Sequence, residues 1–222
     1  MFAEEAARSI QEKERFAVAL AGGSTPKALY DLLATGYQDA LDWSKVHVFF
    51  GDERAVPSDH KDSNYRMARE TLLEHIRVGS VHRIQCELPP DEAASAYEEE
   101  LREFFGAEEL PRFDLILLGI GGDGHTASLF PETSALEVRD RWLVANPVLK
   151  LDTIRITLTV PVINAARSVV FLVAGEDKAG ALKEILEGDA DPREYPARLI
   201  QPPGEPDWML DRAAAKLIQR TA

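Results

Sequence analysis

The chain reads as an α/β protein: a mainly parallel sheet covered by helices on both faces, a Rossmann-like three-layer sandwich. Three observations predict it. The runs Phe16–Ala21, Val46–Phe50 and Phe113–Leu118 are short and largely apolar, without the alternation of a strand that has one wet face. Segments with helical spacing of apolar residues fall between them. Several runs end in glycine-rich turns, as strands feeding crossover helices do.

In chain order, Ala3–Glu14 spaces as a charged helix rather than a signal peptide. The strand Phe16–Ala21 stops at Gly22-Gly23, and a helix follows at once. Ser24 and Thr25 are N-cap types, Pro26 is tolerated in a first turn, and Leu29, Tyr30, Leu32 and Leu33 form the apolar stripe. The strand Val46–Phe50 ends in Gly51-Asp52-Glu53-Arg54; a polar stretch with Pro57 leads to a helix near Asn64–Ile76. Asp91–Phe105 is helical, and Phe113–Leu118, the most strand-like segment, ends in Gly119-Ile120-Gly121-Gly122-Asp123-Gly124-His125. Further strands are expected at Trp142–Ala145, Ile154–Val160 and Val169–Ala174, with helices at Lys178–Leu186 and Asp207–Gln219. The stretch Gly188–Pro206, rich in Pro, Gly and acids, reads as a surface crossing before a docking helix, so residues 1–222 are expected to form a single α/β domain.

Composition narrows the function. With 222 residues, 45% of them hydrophobic, the chain can bury one substantial core. A net charge of −13 without a dense Lys/Arg run argues against nucleic acid. No apolar run approaches the roughly 18 residues a spanning helix needs, so no membrane partner is expected, and residence is expected to be cytoplasmic. The single cysteine, Cys86, excludes an internal disulfide and a multi-cysteine metal cluster. The average field repels anions, so a site for a phosphorylated molecule would need a few local cations and helix N-terminal N–H groups.

Open parallel sheets bind ligands beyond the carboxyl ends of their strands. Four motifs fall there: Gly22–Pro26, Gly51–Arg54, Gly119–His125 and Gly175–Lys178. The first, with Gly22, Gly23, Ser24 and Thr25, is either an anion-binding turn or a plain capped helix start; it is not a Walker A loop. Lys178 is a counter-charge or a solvated surface group. Gly119, Gly121 and Gly124 match the dinucleotide fingerprint, but Pro131 follows too soon for a full crossover helix. His125 at a strand end is either a general base, with Asp123 orienting it, or a loop-bridging histidine. Ser128 lacks the nucleophile elbow, which favours water as attacker. Asp52, Glu53 and Arg54 are catalytic carboxylates, a metal pair, or charges that pair with one another, with Arg54 the better anion ligand. The scattered histidines give no metal-binding spacing.

Together these segments resemble the 6-phosphogluconolactonase family, within the wider group that includes glucosamine-6-phosphate deaminases and isomerases. The resemblance runs from about Phe16 to Ala215. Its carriers are Leu20–Pro26, Phe50–Pro57 with Ser63-Asn64-Tyr65, Gly119–Pro131, Arg155–Thr159 with Pro161-Val162-Ile163-Asn164, and Gly175–Ala179. It implies hydrolysis of 6-phospho-D-glucono-1,5-lactone to 6-phospho-D-gluconate, the second step of the oxidative pentose phosphate pathway, by a monomer or weak homo-oligomer without metal or cofactor. By the same resemblance His125 activates water with Asp123 close by, Ser24, Thr25, Arg54 and Lys178 hold the phosphate, and Asp52 and Asn64 line the sugar pocket. Arg155 matches a family position, although the strand reading puts it at the end away from the cleft. Ala21 stands where the family frequently has serine, and no short strand precedes the first helix. The deaminase relatives carry a glutamate just before the proline that follows the histidine loop; this chain has Phe130 there, which favours hydrolysis over a proton shuttle between sugar carbons.

Overall fold

The computed structural model describes residues 1–107 and 109–219. Its main sheet has six strands: β1 (Phe16–Leu20), β2 (Val46–Phe50), β4 (Ser80–Val81), β5 (Leu115–Leu118), β8 (Val169–Val173) and β9 (Asp207–Leu210). Their order is β4-β2-β1-β5-β8-β9, and every pairing is parallel. In β1, β5 and β8 every residue is buried, and because side chains alternate between faces, both faces must be covered. The helices α1 (Phe2–Lys13), α2 (Ser24–Gly36), α4 (Pro90–Phe105) and α6 (Ala179–Leu186) flank it, the sandwich that the apolar runs predict.

From β1 the chain steps outward to β2; after β5 it steps the other way to β8 and β9. The reversal lies between β1 and β5. At such a switch point consecutive loops diverge and leave a crevice at the carboxyl ends.

Four expectations need correction. The segments expected as strands at Trp142–Ala145 and Ile154–Val160 do not join the parallel sheet: β6 (Leu143–Val148) and β7 (Thr153–Leu158) form a separate antiparallel sheet with β3 (Asp52–Arg54). Gly51 links the sheets, donating its N–H to Leu20 O at 3.0 Å and accepting from Leu158 N–H at 2.9 Å. Apolar content alone does not report which partner a strand takes.

The helix expected at Asp207–Gln219 is instead the edge strand β9 followed by a short 3-10 turn, Ala214–Leu217. Trp208 stacks flat on Phe171 at 4.0 Å, a contact across adjacent strands, and Asp211 Oδ1 accepts from Ala214 N–H, the first residue of the turn, at 2.7 Å. Packing of one aromatic pair overrides a weak helical period.

The helix near Asn64–Ile76 is α3 (Asn64–Ala68), continued by a π-helical stretch, Arg69–Leu73. Finally, Ser24 and Thr25 do not cap α2. Gly23 is the N-cap, with φ 104°, a backbone conformation that disfavours a side chain, so both hydroxyls lie inside the first turn.

Candidate active site

A cleft of about 340 Å³ opens where β1, β2, β5 and β8 end, within the size range of small-ligand pockets. It is lined by Gly22, Gly23, Ser24, Thr25, Asp52, Arg54, Asn64, His125 and Lys178. Asp123 and Arg155 are not among the lining residues, but each neighbours one: Asp123 through the His125 imidazole and Arg155 through its register with Arg54.

The histidine side is built on the Gly119–Pro131 loop, which runs through turns without the crossover helix a dinucleotide site needs. His125 Nδ1 meets Asp123 Oδ1 at 2.6 Å, and the ring stacks on Phe130 at 4.0 Å and 24°. His125 Nε2 has no protein partner among the described residues. Asp123 is held well below the usual carboxylate range: partial burial acts against its charge, but hydrogen bonds from His125 and Lys150 outweigh it. A persistent carboxylate fixes the ring's tautomer, leaving Nε2 as the basic atom. A Cβ on Gly121 would overlap both His125 Nδ1 and Asp123 Oδ1, so only glycine lets the dyad close over this strand end.

The loop is braced both from within and from outside the sequence motif. Thr126 Oγ1 donates to Gly119 O at 2.9 Å, and Ser128 N–H donates to Thr157 Oγ1 at 3.2 Å. Tyr195 packs against Gly124, and Ala197 N–H donates to Gly124 O at 3.0 Å. The Gly188–Pro206 segment, expected as a simple surface crossing, therefore supports the histidine loop.

On the opposite wall, α2 begins directly after Gly23, and its first-turn N–H groups have no intrahelical acceptors. Lys178 follows Gly175, which has φ 102°, and pairs with Asp177 at 2.8 Å. Arg54 donates to Asp62 O and stands opposite Arg155 in the antiparallel β3–β7 register. The expectation that Arg155 sits at the far strand end fails because β7 belongs to the second sheet, where direction relative to the main sheet no longer places it. Both guanidiniums keep a buried Nε without a partner, and burial followed by the Arg54 charge pushes Arg155 below its ordinary value. Two adjacent cations with unmet donors favour an anion nearby.

Between the walls, Asp52 accepts from Ser128 Oγ at 2.6 Å and from Asn64 Nδ2 at 3.2 Å. A Cβ on Gly22 would overlap the Asn64 amide, so this turn and Asn64 fit only because residue 22 is glycine. Glu53 is 2% exposed and faces away from the cleft, accepting from the N–H groups of Arg54, Asn64 and Tyr65 and from Ser63 Oγ. None of the three readings of Asp52-Glu53-Arg54 describes Glu53, whose carboxylate instead anchors backbone N–H groups and the Ser63 hydroxyl. No group of three or more metal-ligating side chains occurs among the described residues.

Sequence reasoning missed Phe130 as the ring under His125, Lys150 as a second partner of Asp123, and Ser128 as a partner of Asp52. Only Phe130 carried a signal, through its place five residues after the histidine.

Residues 1–208 match the family described as glucosamine-6-phosphate isomerases/6-phosphogluconolactonase. The chain belongs to this family. Within the glucosamine-6-phosphate isomerase/6-phosphogluconolactonase family, it is 50% identical to the 6-phosphogluconolactonase of Synechocystis sp. over 96% of this chain and 88% of that one. It is 42% identical to the 6-phosphogluconolactonase of Homo sapiens over 93% and 82%. The solved 6-phosphogluconolactonase from Trypanosoma cruzi superposes with a TM-score of 0.88 at 31% identity, covering 99% of this chain and 90% of that one. No helix among the described residues is long and apolar enough to cross a membrane.

Proposed function

We infer that this protein hydrolyses 6-phospho-D-glucono-1,5-lactone to 6-phospho-D-gluconate in the pentose phosphate pathway. The observation that carries the mechanism is a histidine whose Nδ1 is tied to a carboxylate and whose Nε2 is free at the wall of a cleft rimmed by cations and a helix start. The α2 first turn with Ser24 and Thr25, together with Arg54 and Lys178, holds the phosphate, with Arg155 backing Arg54. Asp52 and Asn64 position the sugar hydroxyls. Phosphate capture orients the lactone so that its carbonyl carbon lies near a water on His125 Nε2.

His125 takes a proton from that water as its oxygen adds to the carbonyl, and Asp123 stabilises the imidazolium. The tetrahedral intermediate collapses by breaking the bond to the ring oxygen, which receives the proton from His125. The product is the open-chain acid, and the imidazole is neutral again. Phe130, stacked on His125, stands in the sequence where the resemblance places a glutamate in the deaminases, so that position offers no carboxylate to move a proton between sugar carbons. The reading extends to a cytoplasmic enzyme of one domain, a monomer or weak homo-oligomer, working without metal or cofactor; a chain with a single cysteine suits a reducing compartment.

The test follows acid release from freshly generated lactone against its spontaneous opening, with and without chelator. His125→Ala should lower turnover by about 10²–10⁴-fold while phosphate-ligand binding persists. Arg54→Ala and Lys178→Ala should raise KM by about tenfold or more. Unchanged turnover in His125→Ala sinks the assignment of the base, and a chelator-sensitive rate sinks the metal-free route.

A further inference from the structure

We propose that Lys150 is a positioning residue that sets the basicity of His125 by sharing its carboxylate. This rests on His125 acting as the base.

Lys150 lies on the 3-10 turn Leu149–Leu151, between β6 and β7, far in sequence from the histidine loop. Its ζ-ammonium bonds Asp123 Oδ2, while Asp123 Oδ1 takes His125 Nδ1 at 2.6 Å and His125 N–H at 3.2 Å. The same ammonium sits 5.0 Å from the centre of the Phe130 ring that stacks on His125. Lys150 thus touches both supports of the imidazole without lining the cleft. Its neighbour Leu149 is 91% exposed, so burial of this turn does not account for where the lysine goes; the carboxylate does.

A carboxylate shared between two cations stabilises each less than it would one alone. With Lys150 in place, the carboxylate is divided between the ammonium and the ring, and an imidazolium at His125 has only part of it. Removing the ammonium leaves Asp123 wholly to His125, and the ring should become more basic. The other charged groups that line the same cleft, Asp52 and Arg54 from β3 and Asp177 and Lys178 after β8, are unchanged in the variants, so a shift isolates the lysine.

The experiment uses the whole chain. The His125 ring titration is followed by NMR in substrate-free protein for the native chain, Lys150→Met and Lys150→Arg, and the acid limb of kcat is measured for each. The expected result is a midpoint about one pH unit higher in Lys150→Met, near-native in Lys150→Arg, and a kcat limb that moves with it while KM stays within about twofold. An unmoved or lowered midpoint in Lys150→Met overturns the proposal. So does a large rise in KM with an unmoved midpoint, which would make Lys150 a substrate ligand. If the midpoint moves and the kcat limb does not follow, the base assignment fails instead, while the charge sharing stands.

Discussion

Two histidines in this fold carry a carboxylate on Nδ1 at the same distance. His125 meets Asp123 at 2.6 Å, and His82 meets Glu100 at 2.6 Å. At the sheet edge, however, His82 Nε2 contacts Ser80 Oγ at 2.7 Å, and Ser80 in turn contacts His47 Nδ1 at 2.7 Å. The His82 ring lies flat on Phe49 at 4.3 Å, with Phe104 edge-on. A carboxylate, a histidine and a serine stand in the order of a hydrolytic triad. Yet the serine hydroxyl lies between two imidazoles, and none of the three residues lines a described cleft. A histidine with both ring nitrogens engaged inside the protein, as His82 is, is structure; one that keeps a free nitrogen at a cavity is available for chemistry. The difference lies in what the second ring nitrogen faces.

The sharpest way to break this comparison is to delete each ring. His125→Ala should cost turnover about 10²–10⁴-fold with little change in stability. His82→Ala should leave kcat within about twofold and lower unfolding stability by about 2 kcal/mol, through lost hydrogen bonds and a lost aromatic stack. Paired kinetic and urea-unfolding measurements decide it; turnover lost equally in both variants would erase the distinction.

Next come the carboxylates. Asp123→Asn keeps the shape but gives up the charge that steadies an imidazolium, and kcat should fall about 10²-fold or more. Glu100→Gln should move stability by about 1 kcal/mol and leave the rate unchanged. A Glu100→Gln variant as impaired in rate as Asp123→Asn would mean that the edge cluster feeds the site.

The smallest effect is on pH dependence. Burial, then the charges of His82 and Arg15, pushes His47 below the ordinary imidazole value. A base depressed in the folded state binds fewer protons there than when unfolded. Its contribution is therefore present above about pH 6.5 and lost as pH falls through the folded value. Asp123 is depressed too, but from the carboxylate range, so its contribution is lost only in stronger acid. As pH falls below about 6.5, the edge should weaken before the dyad does. Urea unfolding across that window should show falling stability, with a shallower slope in His47→Gln; an identical slope would remove His47 from the account.

The split between what could be read early and what could not follows the same physics. The strands β1, β5 and β8 are continuous apolar runs and β2 is interrupted only by His47, a pattern that local sequence reveals directly. Strand ends in a parallel sheet share one side of the molecule, so the turns after them were legible as cleft walls. Partners across large sequence gaps were not. The chain from Asp52 to Ser128 spans 76 residues and that from Asp123 to Lys150 spans 27, and neither leaves a period or motif. The strand β9 was hidden for a related reason: its exposure alternates weakly, and its place is fixed by Trp208 on Phe171.

The sequence by itself determined the fold class, the four glycine-bearing turns and the residue types a phosphorylated lactone would need, because each depends on neighbours a few residues apart. Tertiary structure alone decided which histidine brings a free nitrogen to the cleft, where the second sheet sets Arg155 beside Arg54, and that Lys150 reaches Asp123. Those depend on contacts between segments that only the packed core brings together, and no local rule encodes them.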